Sequence, residues 1–528
     1  MKQEKQTFFL IKSWSAIAAI SLLCYLPFLI NFIWGNHDWW WIKDHTPLLS
    51  GLFEGRFSQF ILPTLLFSGN ILPIFSTTAG LLLYALSAVL LLKLWQAPEN
   101  KLFYILLALS IVTAPYTISW FYFAFLSLSC LSWPLVIILA YLLLEHPLKY
   151  ALNLLLAVVL FVLALGGYPP IINMIGVIFF TLILKDLCLK GLSVKSLMQK
   201  YLPHILSLLF AALISLFILH LLKKYNLQQN TYNTAAIDLK TLPNKLNFCL
   251  KAALQQFTIT KSFISYFYKY IMLCFVLIAF IELFICLPKK FSNILCFILS
   301  FTGLLLSSVI TLLVAQNIKY VIYEPRIEFF SLPYIYAFSA FVLLHKGNCF
   351  LKNLTTVLLA LLILYNINTA ALASKVWTFG FKAENAYAER FITRLEQHDA
   401  FKPQTKKYTF VQGGTLNFRK NYYIPQKDEQ VDAYTINAPY IPPHLPYKAY
   451  TFYYPYIFVD KDFDIFWSFV PPSEIDLNLD TIQYITTSAQ PWPNQNATYI
   501  TPELIILTLT NDGLWRAQHW LQNNFNIN

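Results

Sequence analysis

Residues 35–45 read GNHDWWWIKDH. Two aspartates (Asp38, Asp44), two histidines (His37, His45), Lys43 and three consecutive tryptophans (Trp39, Trp40, Trp41) are packed between two apolar runs. A carboxylate at the edge of lipid is expensive and faces a cavity or a partner. Held in a partly dry cleft, it can take a proton from a hydroxyl. Asp38 closely follows the run ending near Trp34 and is the first candidate for a catalytic base, with Asp44 as a second acid. Trp39 and Trp40 offer flat faces suited to a sugar. An interfacial reading stays open, with Asp38 capping a helix and the tryptophans in an aromatic belt. That reading leaves the second acid and the following EGRF (54–57) without a role. His37 and His45 could ligate a metal with either aspartate, but their spacing matches no defined site, so the metal is unassigned.

Cations supply the complementary chemistry. Arg56, Lys223, Lys224 and Arg326 stand in loops where they could hold an anionic head group, and arginine can do so in a bidentate way. Arg326 sits in YEPRIEFF, and an ion pair with Glu324 or Glu328 is the competing expectation. Tyr116, Trp120 and Tyr168 fall in the same outer segments and suit either sugar faces or the lipid interface. A phosphate-cradling glycine loop, a GxSxG elbow, an HExxH pair and a nucleotide-binding βαβ pattern are all missing, which argues against a cytosolic nucleotide as direct substrate.

The elements that must position these residues are membrane helices. The 528 residues are 57% hydrophobic and 12% charged, against about 25% charged in soluble domains. So much apolar surface needs a bilayer. Residues 1–371 carry 25 Lys+Arg against 11 Asp+Glu, and residues 372–528 carry 13 against 15. The basic surplus therefore lies in the short loops that set topology, and the near-neutral tail argues against a nucleic-acid partner. The eight cysteines all precede residue 372, without a CxxC pair, and read as small packing residues.

Apolar runs give about 11 spans: 13–34, 72–94, 102–115, 126–145, 149–166, 170–186, 203–222, 267–287, 292–315, 329–345 and 351–370. The third to sixth are short enough to be tilted or re-entrant. Lysines at the N-terminus, 93, 101, 149, 185–200, 289–290 and 346–352 mark the cytoplasmic side. The opposite side receives 35–71, 116–125, GGYPP (166–170), 223–266, 316–328 and the tail. The N-terminal run reads as an uncleaved first span.

The chain thus divides into a transmembrane module, 1–371, and an α+β domain, 372–528. In the tail, AENAYAERFITRLEQHD (383–399) has helical spacing, whereas KKYTFVQGG, AYTFYYPYIFVD, TIQYIT and ELIILTLT read as strands.

One layout gathers these features. An Asp-Trp outer loop follows the first span. Gly55-Arg56-Phe57 and the segment SQFILPTLLFSGNILP come next, GGYPP breaks two short spans, and Asn385, Tyr387, Ala388 and Arg390 continue the last span. This resembles the bacterial serotype-converting glucosyl transferase II family, membrane glycosyltransferases of the GT-C class. The resemblance covers most of residues 10–395 and implies a polytopic α-helical GT-C-like protein of the bacterial inner membrane; the lysine pattern adds an N-terminus inside and a periplasmic C-terminal α+β domain, which the resemblance does not reach. The resemblance further implies transfer of a sugar, glucose in that family, from a polyprenyl-phosphate donor to a glycan acceptor. Asp38 would be the base, and Arg56 and Arg326 would hold the donor phosphate. The family's paired acids before the tryptophan stand here as His37-Asp38. No cofactor is assigned with certainty, and a divalent cation (Mg or Mn) stays open. A polymerase or ligase of lipid-linked glycans, and a transporter or flippase without chemistry, are the rival expectations.

Overall fold

The computed structural model describes residues 2–32, 47–70, 72–98, 100–145, 150–228, 242–259, 264–314, 325–401, 409–413, 479–501, 504–508 and helical positions 511, 514–515 and 518–519. The chain divides into two compact units, one of residues 1–32 and 41–373, the other of 33–40 and 374–528.

The first unit is built of helices: α1 (Lys2–Ile30), α2 (Pro47–Phe53), α3 (Ile61–Phe67), α4 (Pro73–Trp95), α5 (Lys101–Val112), α6 (Ala124–Glu145), α7 (Tyr150–Leu165), α8 (Ile171–Leu184), α9 (Val194–Lys224), α10 (Leu242–Gln255), α11 (Tyr266–Cys286), α12 (Phe291–Ser307), α13 (Leu332–Lys346) and the start of α14 (Cys349–Glu396). A 3₁₀ segment, Pro115–Tyr122, and one-turn pieces at Thr311–Val314 and Pro325–Glu328 join them. Among the described residues seven helices are long and apolar enough to cross a membrane, or eight if the pair 101–112 and 115–121, bent by 46°, is one span. The runs at 149–166, 292–315 and 329–345 fold as the shorter helices α7, α12 and α13.

Inside lipid every backbone group is satisfied within its own helix, so side chains hold the bundle together through packing and interhelical hydrogen bonds. α4 packs on α6, α6 on α7, α7 on α9, α8 on α12, and α11 on α13. Tyrosine hydroxyls donate across helices: Tyr25 to the Val112 carbonyl at 3.1 Å, Tyr84 to Ile111 at 3.2 Å, Tyr104 to Val89 at 2.6 Å and Tyr141 to Ile175 at 2.7 Å. α13 is buried from Leu332 through Leu344. α9 instead leaves Leu209, Phe210, Leu213, Leu216 and Phe217 exposed, the expected surface against lipid.

The lysine-rich run 185–200, expected as a cytoplasmic loop, is largely helical. A π-type turn, Lys185–Leu189, prolongs α8, and α9 starts at Val194. The reason is Asp186, fully buried, which accepts from Lys200 at 2.5 Å and from the Tyr201 hydroxyl at 2.9 Å and pairs with Lys190 at 3.2 Å. Lys200 also pairs with Glu145 at the end of α6, at 2.8 Å. Three helix ends are thereby tied together.

In the second unit the strands β1 (Thr409–Gly413), β2 (Thr498–Ile500) and β3 (Leu504–Thr508) form a sheet of order β1-β3-β2, β1 parallel and β2 antiparallel to β3. TIQYIT, expected as a strand, is helical across Leu479–Gln483 and Tyr484–Ser488. Its buried residues come in adjacent pairs, Thr481–Ile482 and Tyr484–Ile485, which is helical rather than alternating spacing. AYTFYYPYIFVD lies outside the described residues.

Candidate active site

The site begins at the end of α2. The amide of Gly55 donates to the Leu52 carbonyl at 2.9 Å and that of Arg56 to Gly51 at 2.7 Å. Gly55 closes the turn at φ +73°, a conformation glycine adopts at no steric cost. The turn swings Arg56 over the Tyr168 ring, its guanidinium carbon 5.2 Å from the centroid. The guanidinium also pairs with Glu54 at 2.8 Å and donates to the Gln59 side-chain oxygen at 3.3 Å.

GGYPP is what this loop rests on. The Ser58 amide donates to the Gly166 carbonyl at 3.0 Å, and its hydroxyl reaches the Leu163 carbonyl. The Ser129 hydroxyl of α6 holds the Gln59 carbonyl from the other side. Both glycines are required by close approach: a Cβ on Gly166 would lie 2.3 Å from the Phe57 ring, and one on Gly167 would lie 2.4 Å from the Trp133 indole. Two motifs separated by more than a hundred residues in sequence are therefore one structural piece.

Tyr168 extends this piece inward. Its ring lies 5.7 Å from Trp120 and 5.9 Å from Phe330, and Trp120 stands edge-on to Phe329 at 5.7 Å. Phe329 and Phe330 follow the turn Pro325–Glu328, which packs on the 3₁₀ segment and carries Arg326. The Arg326 guanidinium carbon lies 4.8 Å from the centroid of the Phe123 ring. Phe330, which stacks near Tyr168, follows Arg326 by four residues, so Arg56 and Arg326 flank one aromatic stack.

Several buried N–H donors about this stack lack a partner among the described residues. They are Arg56 Nε, Gln59 Nε2, Trp120 Nε1, Trp133 Nε1 and Arg326 Nε. Each unpaired buried donor costs about 1–3 kcal/mol, and such groups in a native structure call for an explanation. A group rich in acceptor oxygens and negatively charged is the chemistry that matches five unpaired donors and two guanidinium groups.

Of the residues expected from sequence, Arg56 and Tyr168 are in direct contact, and Arg326 lies on the turn just before Phe330, whose ring is 5.9 Å from that of Tyr168. Lys223 and Lys224 are exposed at the end of α9, Lys224 beside Tyr225, and no described contact joins them to the arginines. Gln228, just beyond, lies 3.0 Å from where a Gly55 Cβ would sit, so that end of α9 does reach the turn before Arg56. Asp38, Asp44, Trp39, Trp40, His37, His45 and Glu324 lie outside the described residues. Among the described residues no group of three or more His, Cys, Asp or Glu is arranged to hold a metal ion.

Two expectations are corrected. Tyr116 and Trp120 are not rim aromatics but are fully buried, because the 3₁₀ segment folds back into the bundle. Among the described residues no ion pair joins Glu328 to Arg326; the Glu328 carboxylate takes Lys269 of α11 at 3.0 and 3.2 Å. Sequence reasoning missed Gln59, Trp133 and Lys269. For Lys269 a signal existed, since a lysine inside an apolar run demands a partner.

No curated protein and no solved structure matches the chain. The family model described as glucosyl transferase GtrII matches residues 45–344, a range that contains Arg56, GGYPP, Lys269 and Arg326. The arginine-lined aromatic stack described above lies within the matched residues, and the chain belongs to the glucosyl transferase GtrII family.

Proposed function

We propose that the protein is a GT-C-type inverting glucosyltransferase. It takes glucose from a polyprenyl-phosphate donor and delivers it to a glycan acceptor on the periplasmic face of a bacterial inner membrane. The observation that carries this reading is the set of unpaired N–H donors about Arg56, Trp120 and Arg326. A lipid-borne phosphate enters sideways from the bilayer, and its oxygens supply the acceptors these donors lack.

In the reaction, the acceptor hydroxyl attacks the anomeric carbon from the face opposite the phosphate. The new carbon–oxygen bond forms as the bond to the phosphate oxygen breaks. The hydroxyl proton passes to a carboxylate, Asp38 in this reading. The leaving polyprenyl phosphate gains charge, and Arg56 and Arg326, already oriented by Tyr168 and Phe123, stabilise it without reorganising. All eleven apolar runs would cross the membrane, leaving the arginines and the unit after residue 373 on the outer side, where that unit would meet the acceptor.

The test uses purified protein in nanodiscs with polyprenyl-phosphate-[¹⁴C]glucose and an acceptor glycan. Arg56→Gln and Arg326→Gln are each expected to raise the donor KM about tenfold or more, the loss of one charge-assisted contact. Asp38→Asn is expected to lower kcat by at least about a hundredfold. Unchanged transfer in all three variants would remove the reading. Movement of label across the bilayer without a new glycosidic bond would favour a flippase.

A further inference from the structure

Gln59 stands three residues after Arg56 and is 1% exposed. Its backbone amide donates to the Arg56 carbonyl at 3.1 Å, and its backbone carbonyl accepts from the Ser129 hydroxyl of α6. Its side-chain oxygen accepts from Arg56 Nη1 at 3.3 Å. Only the side-chain nitrogen, Nε2, has no partner among the described residues.

A glutamine amide can turn end for end, and its neighbours decide which end faces where. Here the neighbour is a guanidinium, which only donates, so it takes the oxygen. The NH2 group is thereby committed to the opposite side with two N–H donors. Turning the amide would relieve neither, because it would set N–H against a cation. A buried donor in that position is costly until a ligand supplies an acceptor.

Steadying Arg56 does not by itself call for an amide. A carboxylate holds a guanidinium more strongly, as Glu54 does at 2.8 Å. What glutamine has and glutamate lacks is the N–H pair, together with the absence of negative charge beside a site for an anion.

We infer that Gln59 is a binding residue of the transferase site: its oxygen holds the Arg56 guanidinium while its NH2 group donates to an acceptor oxygen of the sugar-phosphate donor. This rests on the donor-phosphate reading of Arg56 and deepens it by placing a neutral donor beside the cation. The phosphate and the hydroxyls of the sugar it carries offer the same acceptor chemistry, and the experiment tells these two sources apart.

The experiment reads donor KM and kcat in the same nanodisc transfer assay, with thermal unfolding followed in parallel. Gln59→Glu keeps an acceptor for Arg56 but loses both N–H donors, and is expected to raise the donor KM about tenfold or more. A folded Gln59→Glu protein with the donor KM within about threefold of wild type would overturn the inference, because the oxygen alone would then suffice. Gln59→Met covers the case in which the buried carboxylate does not fold. It is placed in the wild-type chain and in Arg56→Gln. A residue acting only through Arg56 adds nothing once Arg56 is gone, whereas a residue touching the donor raises the KM further. The expected further rise is at least about threefold, and no further rise overturns the inference. Arg56→Gln alone tests the level beneath. If it leaves the donor KM unchanged, the phosphate reading of Arg56 fails. If it raises the KM but Gln59→Met adds nothing, only the role given to Gln59 fails. Inhibition by polyprenyl phosphate without sugar locates the contact: weakened in Gln59→Met as much as donor binding, it supports a bond to the phosphate; unchanged while the donor KM rises, it supports a bond to the sugar.

Discussion

Replacing Gly166 by alanine tests whether GGYPP holds the arginine loop in place. The added Cβ would sit 2.3 Å from two carbons of the Phe57 ring. Ordinary contact begins near 3.4 Å, so the ring must retreat by about 1 Å. Phe57 lies between Arg56 and Ser58, whose amide is bonded to Gly166 itself at 3.0 Å. With its backbone held by that bond, a displaced ring strains the segment that aims the guanidinium at Tyr168. Overpacking of this kind costs about 1–3 kcal/mol, and a 1 Å misplacement of a binding group costs about a hundredfold in rate. The expectation for Gly166→Ala is a folded protein with kcat/KM for the polyprenyl-phosphate donor lowered by about a hundredfold. Phe57→Leu in the same chain, by giving back room, should recover at least about tenfold of it. The assay is initial-rate transfer of labelled glucose in nanodiscs, with expression level and unfolding temperature as folding controls. A folded Gly166→Ala protein with kcat/KM within about threefold of wild type would refute the argument that this contact sets the arginine.

Other parts of the structure give further expectations. Trp120→Phe removes a buried N–H that has no partner among the described residues, so stability without substrate should hold or rise by up to about 1 kcal/mol while the donor KM rises; thermal unfolding and transfer kinetics on one preparation check both signs. Lys200→Met takes from fully buried Asp186 its 2.5 Å partner but leaves Lys190 at 3.2 Å, so the loss should fall near the low end for a broken buried pair, about 3 kcal/mol, seen as earlier unfolding in detergent. In the second unit Ile506 is buried in the central strand β3, and Ile506→Ala should cost about 2–5 kcal/mol, read as faster proteolysis after residue 373 with the membrane unit left intact.

The helical membrane class was legible because it depends only on local apolar content and length, which lipid converts directly into helices. Arg56, Tyr168 and Arg326 could be singled out because charge and planarity are intrinsic to a side chain. The partner of Glu328 could not be read, because Arg326 is adjacent in sequence and Lys269 is not, and only the packing of α11 against the turn at 325–328 reverses that order. Tyr116 and Trp120 were misjudged for the same reason. A polar-tipped aromatic between two apolar runs has one composition whether the segment skirts the bundle or folds into it.

By itself, then, the sequence determined the solvent: a chain this apolar must fold in lipid, with its basic surplus in short connections. It also determined which residue types could meet a phosphate and a sugar. The tertiary structure alone decided that Gly166 and Gly167 seat Phe57 and Trp133, so that the Gly-Arg-Phe turn and GGYPP become one surface, and that Lys269 rather than Arg326 satisfies Glu328. Those outcomes depend on contacts between residues far apart in the chain, where sub-ångström sterics and the placement of a single ammonium group decide the result.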